Sequence, residues 1–183
     1  MASVFSRIKK RLERSKANKN WANKNAYLIS KGAVIGKGTR LNCNIDAFGS
    51  EPYLIKVGED CLFAAGVRFI THDGGIKVLK TLGYPGMEKM DSIAPIVLGD
   101  NVYIGTGAYI MPGVHIGNNV VVGAGAIVTH DLPDNVVAVG IPAKPIESLD
   151  EFFEHVKAKG KLYPTLGLTV EEKRAYFEKV FSE

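Results

Sequence analysis

The chain is short of cysteine, of long apolar runs and, at one end, of acid, and each shortage removes a class of protein. Cys43 and Cys61 are the only cysteines in 183 residues. Two are too few for a disulfide framework, and neither has a second cysteine at metal-ligand spacing, which argues against structural zinc. No apolar run approaches the roughly 18 residues that span a bilayer. The opening MASVFSRIKKRLERSK lacks the apolar segment of a secretory signal. The expectation is a soluble cytoplasmic protein with no metal.

Acid is scarce at the start. Residues 1–25 hold eight Lys and Arg against Glu13 alone, a local charge of +7 in a chain whose total is +4, so the remainder is −3. Val4, Phe5, Ile8 and Leu12 recur at helical spacing within that basic stretch. A basic helix with an apolar stripe can lie on an anionic membrane surface; it can equally pack its stripe on the body of the protein. Nothing else in the chain reads as nucleic-acid binding, because no aromatic-basic motif of the known DNA and RNA modules is present.

What the chain has is a beat of six. From Leu98 it reads LGDNVY, IGTGAY, IMPGVH, IGNNVV, VGAGAI, VTHDLP. The first place is aliphatic every time, and the fifth is always small or medium apolar (Val102, Ala108, Val114, Val120, Ala126, Leu132). Helices repeat every ~3.6 residues and cannot hold that period. Short strands joined by tight corners can, with stacked rungs placing like residues over like, and three hexads make one triangular coil. A looser version starts at Ile29 (ISKGAV), Ile35 and Leu41, gains an insertion near Gly49–Pro52, and resumes at Val57 and Phe63. Phe69 opens FITHDG and the frame is then lost until Leu98, so roughly residues 73–94 are expected to leave the coil as a loop. A loop of that length in so regular an architecture is usually functional. The fold class expected is an all-β solenoid of hexapeptide repeats with an extruded loop and short helices at both ends. Residues 1–27 form a basic helical segment, 28–147 the coil, and 148–183 a helical extension, the last with a capping-box spacing at Thr169–Glu172.

The stretch VYIGTGAYIMPGVHIGNNVVVGAGAIVTHDLPDNVVAVGIPAK, residues 102–144, resembles the hexapeptide-repeat acyltransferases, and most closely their sugar and polysaccharide O-acetyltransferase branch. The resemblance covers about residues 28–147. It implies a left-handed β-helix, a homotrimer with active sites in clefts between subunits, acetyl-CoA as donor, and a sugar or glycan hydroxyl as acceptor. Histidine suits the base that such a transfer needs at neutral pH, and four are present. His155 falls in the C-terminal helix, His115 and His130 at the sixth and third hexad places, and His72 where the repeat breaks. The resemblance assigns the catalytic role to His72, with Asn44 of LNCNID reaching the acceptor and the developing oxyanion. Either Asp73 or a backbone carbonyl is expected to orient the imidazole.

For the donor, the resemblance implies Tyr103 in place of the family's stacking tryptophan, Thr106 lining the groove, and backbone groups of Gly105 and Ala124 along the pantetheine arm. It places Thr129 and His130 near the adenine end and Lys144 beside the phosphates. Three readings compete with direct transfer to a glycan. An acyl-cysteine route could run through Cys43. A zinc carbonic anhydrase on the same solenoid would need converging histidines, which the different hexad phases of His115 and His130 oppose. A non-catalytic scaffold would have no use for the loop beside His72. Serine, an amino sugar or an antibiotic remain open as acceptors.

Overall fold

Alternating outward and inward residues in two-residue strands, closed by corners that glycine and asparagine can turn, generate the architecture. The computed structural model describes residues 4–182, with the backbone only for Val4 and Phe5, so the Val4 and Phe5 part of the apolar stripe lies outside the described side chains. Two helices open the chain, α1 (Val4–Ala17) and α2 (Trp21–Ser30). The strands that follow are β1 (Val34–Ile35), β2 (Arg40–Leu41), β3 (Ile55–Val57), β4 (Leu62–Phe63), β5 (Arg68–Phe69) and β6 (His72–Asp73). After the short helix α3 (Ile76–Thr81) come β7 (Ser92–Ile93), β8 (Ile96–Leu98), β9 (Tyr103–Ile104), β10 (Tyr109–Ile110), β11 (His115–Ile116), β12 (Val121–Val122) and β13 (Ile127–Val128). The unit closes with the hairpin β14 (Val136–Gly140) and β15 (Ala143–Ser148).

Apart from β6 and β7, which pair separately as a fourth sheet, the strands sort into three sheets, one per face of the coil. The first is β1-β3-β8-β11, the second β2-β4-β9-β12-β14-β15, and the third β5-β10-β13. All neighbours in them run parallel except β14 and β15. Val97 pairs with His115, Tyr103 with Val121 and Tyr109 with Ile127, so each residue meets its counterpart three hexads further along. Three hexads therefore close one coil.

First-place Ile104, Ile110, Ile116, Val122 and Val128 are wholly buried, as are fifth-place Ala108 and Val120. Burying one such aliphatic contributes roughly 1.5–3 kcal/mol, so the ladder supplies most of the cohesion. At the corner between the first and second sheets, Asn101, Asn119 and Asn135 adopt φ of 54°, 56° and 61°, where asparagine is well tolerated. Their side-chain amides form a ladder, Asn101 donating to Asn119 and Asn119 to Asn135 at 2.9 Å each.

Two insertions break the three-hexad spacing. Val34 pairs with Lys56, where an unbroken period would offer Pro52, and the surplus is taken up by 3-10 turns at Ile45–Phe48 and Pro52–Leu54. Arg68 pairs with Tyr109, where an unbroken period would offer Gly86, so a much longer segment is extruded between β5 and β8. It leaves on an antiparallel stem, His72 opposite Ile93 and Asp73 opposite Ser92, and carries α3, so the segment expected to be a loop contains a helix.

The hexad expected at Ile29 is absent: Ile29 and Ser30 end α2, and Ile29 is half exposed. Helix α2 lies on the first coil instead, burying Leu28, with Lys24 Nζ donating to the Leu41 carbonyl at 3.0 Å and Asn25 Nδ2 to Thr39 O at 2.8 Å. Polar side chains thus meet the exposed backbone of the first rung.

Of the two settings open to helix α1, the described part of its stripe does not take the one packed on the body. Arg14 pairs with Asp46 and Ala17 is buried, while Ile8 and Leu12 are 51% and 58% exposed.

Residues 150–183 form a separate unit. It contains most of α4 (Leu149–Ala158) and all of α5 (Val170–Val180), whose capping box at Thr169 and Glu172 is complete in both directions. Tyr163 packs edge-on against Tyr176, Phe177 and Phe181 within this unit.

Candidate active site

The two insertions meet at one edge of the coil, between the third and first sheets. The 3-10 turn at Ile45–Phe48 stands where the first rung would have its third strand, with Phe48 against Phe69 at 4.9 Å between ring centroids. The residues after it, Gly49 to Pro52, therefore reach the edge where the chain after β5 leaves as β6. That brings Glu51 beside His72, one coil later in the chain.

Glu51 Oε2 accepts from Thr71 Oγ1 at 2.7 Å and lies 3.0 Å from His72 Nδ1. The Thr71 hydroxyl foremost, then Ser50 and His72, hold the Glu51 carboxyl down at about 2. An ionised carboxylate can only accept, so Nδ1 donates, which leaves Nε2 as the ring nitrogen facing away from Glu51. The arrangement presents one oriented base at an exposed position, the His72 side chain being 51% exposed and Glu51 only 16%.

Glu51, and neither candidate from the sequence, orients the ring. Asp73 is turned away: its Oδ1 accepts from Gly75 N at 2.8 Å and shapes the turn into α3. The signal for Glu51 was the insertion at Gly49–Pro52, one coil before the histidine.

A cleft of about 420 Å³ opens at this dyad, walled by Ser50, Glu51, His72 and Asp73 on one side and by Ile76, Lys77, Lys80 and Asp91–Ile93 of the extruded segment on the other. Lys80 Nζ reaches Asp91 at 3.1 Å and ties α3 to the returning strand. A second hollow of about 620 Å³ adjoins it through Ser50, with Lys10, Arg14, Lys31, Tyr27 and Tyr53 in its wall.

The remaining candidates do not join His72 within one chain. Asn44, exposed and without a side-chain cap bond, stands before the 3-10 turn at the corner between the second and third sheets, and is not part of the cleft wall. Gly105, Thr106 and Ala124 stack along that same corner, Gly125 N donating to Thr106 O at 2.8 Å. A Cβ on Gly105 would come within 2.5 Å of Ala124 N, so only glycine lets those rungs stack. Tyr103 points outward from the second sheet, 39% exposed, and Lys144 lies exposed on β15 at the far end of that sheet. Thr129 and His130, linked side chain to side chain at 2.8 Å, follow β13 and so share the edge of His72, two rungs along. His115 sits on β11 and His155 on α4.

The cysteines are sealed. Cys43 is 2% and Cys61 1% exposed. Burial pushes the Cys43 thiol up to about 11 against the opposing charge of Lys24, and burial likewise raises Cys61. Neither is a thiolate at neutral pH, which removes the acyl-cysteine route. Native protein is expected to release almost no thionitrobenzoate from Ellman's reagent within minutes at about pH 8, and to titrate both thiols once unfolded. Rapid native labelling at Cys43 would reopen that route.

Parallel two-residue strands on a three-hexad period, interrupted by two insertions that together wall a histidine cleft, define a hexapeptide-repeat solenoid. Residues 95–130 match the family described as bacterial transferase hexapeptide (six repeats). Protein CapG of Staphylococcus aureus is 42% identical over 153 residues, which is 83% of this chain and 86% of that protein. Galactoside O-acetyltransferase of Escherichia coli (strain K12) is 31% identical over 140 residues, 74% of this chain and 64% of that one. Among solved structures, a maltose O-acetyltransferase from Clostridium difficile 630 is similar with a TM-score of 0.54 and 29% identity, covering 75% of this chain and 81% of its own. The chain belongs to the hexapeptide-repeat transferase family.

Proposed function

We propose that the protein is an O-acetyltransferase that moves an acetyl group from acetyl-CoA to a hydroxyl of a sugar or glycan. The observation that carries this is the His72–Glu51 pair, an oriented imidazole at the mouth of a cleft, in a family whose relatives include a galactoside and a maltose O-acetyltransferase.

His72 Nε2 takes the acceptor proton as its oxygen attacks the thioester carbonyl. The tetrahedral intermediate then collapses, the C–S bond breaks, and the CoA thiolate takes the proton back from the imidazolium. Glu51 stays ionised throughout, holding the ring and steadying its positive charge. No covalent enzyme intermediate is needed, so donor and acceptor are bound together. Asn44 is assigned to the acceptor and the developing oxyanion. Tyr103, Gly105, Thr106 and Ala124 receive the pantetheine arm, and Thr129, His130 and Lys144 the adenine and phosphate end.

The reading includes a left-handed coil, a cytoplasmic setting and a homotrimer. Asn44 and the corner of Gly105 and Ala124 stand on a different edge from His72, so a second copy is needed to bring them to one substrate. Val78, Leu82, Tyr84 and Met90 of the extruded segment are each more than half exposed, and a neighbouring copy would cover them. Residues 28–147 form the catalytic coil, with 1–27 and 148–183 as appended helical parts.

The test is thiol release from acetyl-CoA with a panel of sugars and glycans, run on the parent protein and on Glu51→Gln. The glutamine keeps the shape but can no longer hold a positive ring, and its NH₂ can face Nδ1 and select the wrong tautomer. The expected loss is about 10- to 100-fold in kcat with KM for acetyl-CoA little changed. Unchanged kcat would remove Glu51 from the mechanism, and no thiol release with any hydroxyl acceptor would remove the reaction. Because the folded carboxyl titrates at about 2 against an ordinary 4.5, its stabilising contribution is complete above pH 4.5 and lost only as pH falls towards 2. Loss of activity in milder acid therefore does not come from Glu51.

A further inference from the structure

Helix α1 is held to the coil on the side of Arg14 and Ala17, while the side chains of residues 6–13 are exposed. Residues two apart on a helix lie about 200° apart around its axis, on opposite sides. Lys10 and Arg14 face the coil: both border the hollow beside Ser50, Arg14 pairs with Asp46, and Ala17, one turn further on the same face, is buried. Ile8 and Leu12, each two residues from one of those cations, must then point away, and they are 51% and 58% exposed. An amphipathic helix of a water-surrounded protein packs the other way round. What this orientation leaves outside is an apolar stripe bordered by Lys9, Arg11 and Lys16, all exposed.

We propose that α1 docks the protein on a negatively charged lipid surface. Ile8 and Leu12 enter the boundary between headgroups and acyl chains, and Lys9, Arg11 and Lys16 pair with anionic headgroups beside them. Charge complementarity selects this occupant. The stripe is short, so its area alone gives weak binding, whereas flanking cations and an anionic surface reinforce it. The geometry also joins surface to chemistry: the opposite face of the same helix walls the hollow that adjoins the His72 cleft through Ser50. An acceptor glycan held at a membrane would reach the cleft from the side on which the helix lies.

The experiment is flotation of full-length protein with phosphatidylcholine vesicles, with and without phosphatidylglycerol. Three proteins are compared, the parent, Ile8→Ser/Leu12→Ser, and Lys9→Glu/Arg11→Glu/Lys16→Glu, each first checked for an unchanged melting transition and for its mass in solution. The parent is expected to float with anionic vesicles, to stay behind with neutral ones, and to be released by high salt. Each variant is expected to bind at least about tenfold more weakly. Failure of the parent to bind anionic vesicles overturns the proposal. So does equal binding by the Ile8/Leu12 variant, which would mean charge alone acts. A drop in solution mass for that variant also overturns it, by showing that a second copy of the chain covers the stripe. None of these readouts depends on acetyl transfer, so the outcome is independent of the proposed reaction.

Discussion

Replacing His72 by alanine is expected to lower kcat for acetyl transfer by about 10²- to 10⁴-fold, the span that a positioned general base supplies. The ring is half exposed and its strand pairing with Ile93 runs through the backbone, so the fold does not depend on it. Stability should move by less than about 0.5 kcal/mol, as for other surface substitutions away from caps and cores. Binding of acetyl-CoA should persist, because the donor is assigned to Tyr103, Gly105, Thr106, Ala124, Thr129, His130 and Lys144, and His72 takes only the proton. The expected signature is therefore a fall in kcat with KM for acetyl-CoA nearly constant, read by thiol release and by calorimetric titration of CoA. A factor of 10³ corresponds to about 4 kcal/mol of barrier. Equal turnover by parent and variant would mean that another group takes the acceptor proton.

The coil was legible because its determinants are local. An aliphatic at the first place and a small apolar at the fifth read the same in the sequence as in the rungs as far as Val128; the last coil is two residues shorter, so fifth-place Leu132 bridges first-place Ile116. The break at FITHDG was legible for the same reason. Glu51 was not, since its place beside His72 depends on the length of the insertion in the preceding coil and on a 3-10 turn filling the third face. No residue near Glu51 carries that information alone. Helix α3 was hidden because Gly74 and Gly75 before it and Gly83 after it read as breakers across a stretch too short for a helical period to show. The two halves of α1 were visible, a stripe and a set of cations, yet the sequence does not say which half meets the body. Asp46, on the 3-10 turn of the first coil and far along the chain from Arg14, decides it. The site residues of the resemblance fall on two edges and on the second sheet of one chain, which a linear motif cannot display.

Phe63→Ala is expected to cost about 3–5 kcal/mol of folding stability, the range for truncating a buried phenylalanine whose neighbours cannot close in. Phe63 is wholly buried at a first hexad place, tilted against Phe69 at 5.3 Å, which in turn meets Phe48 at 4.9 Å. These three rings fill the coil where both insertions depart. Adjacent rungs are fixed by backbone ladders above and below, Leu62 N donating to Val102 O and Ala64 N to Ile104 O at 2.9 Å, so the void cannot collapse easily. Leu62→Ala is the matching control. Leu62 precedes Phe63 in the same strand but faces outward, 37% exposed, and its truncation should cost less than about 1 kcal/mol. Urea unfolding at fixed protein concentration measures both. Two similar losses would contradict the inward and outward alternation of β4. The phenylalanine variant should also lose activity, for Phe69 stands just before His72 in the chain and anchors the strand from which the cleft departs. Adding Phe69→Ala should cost less than the sum of the two single changes, because the rings share one cavity.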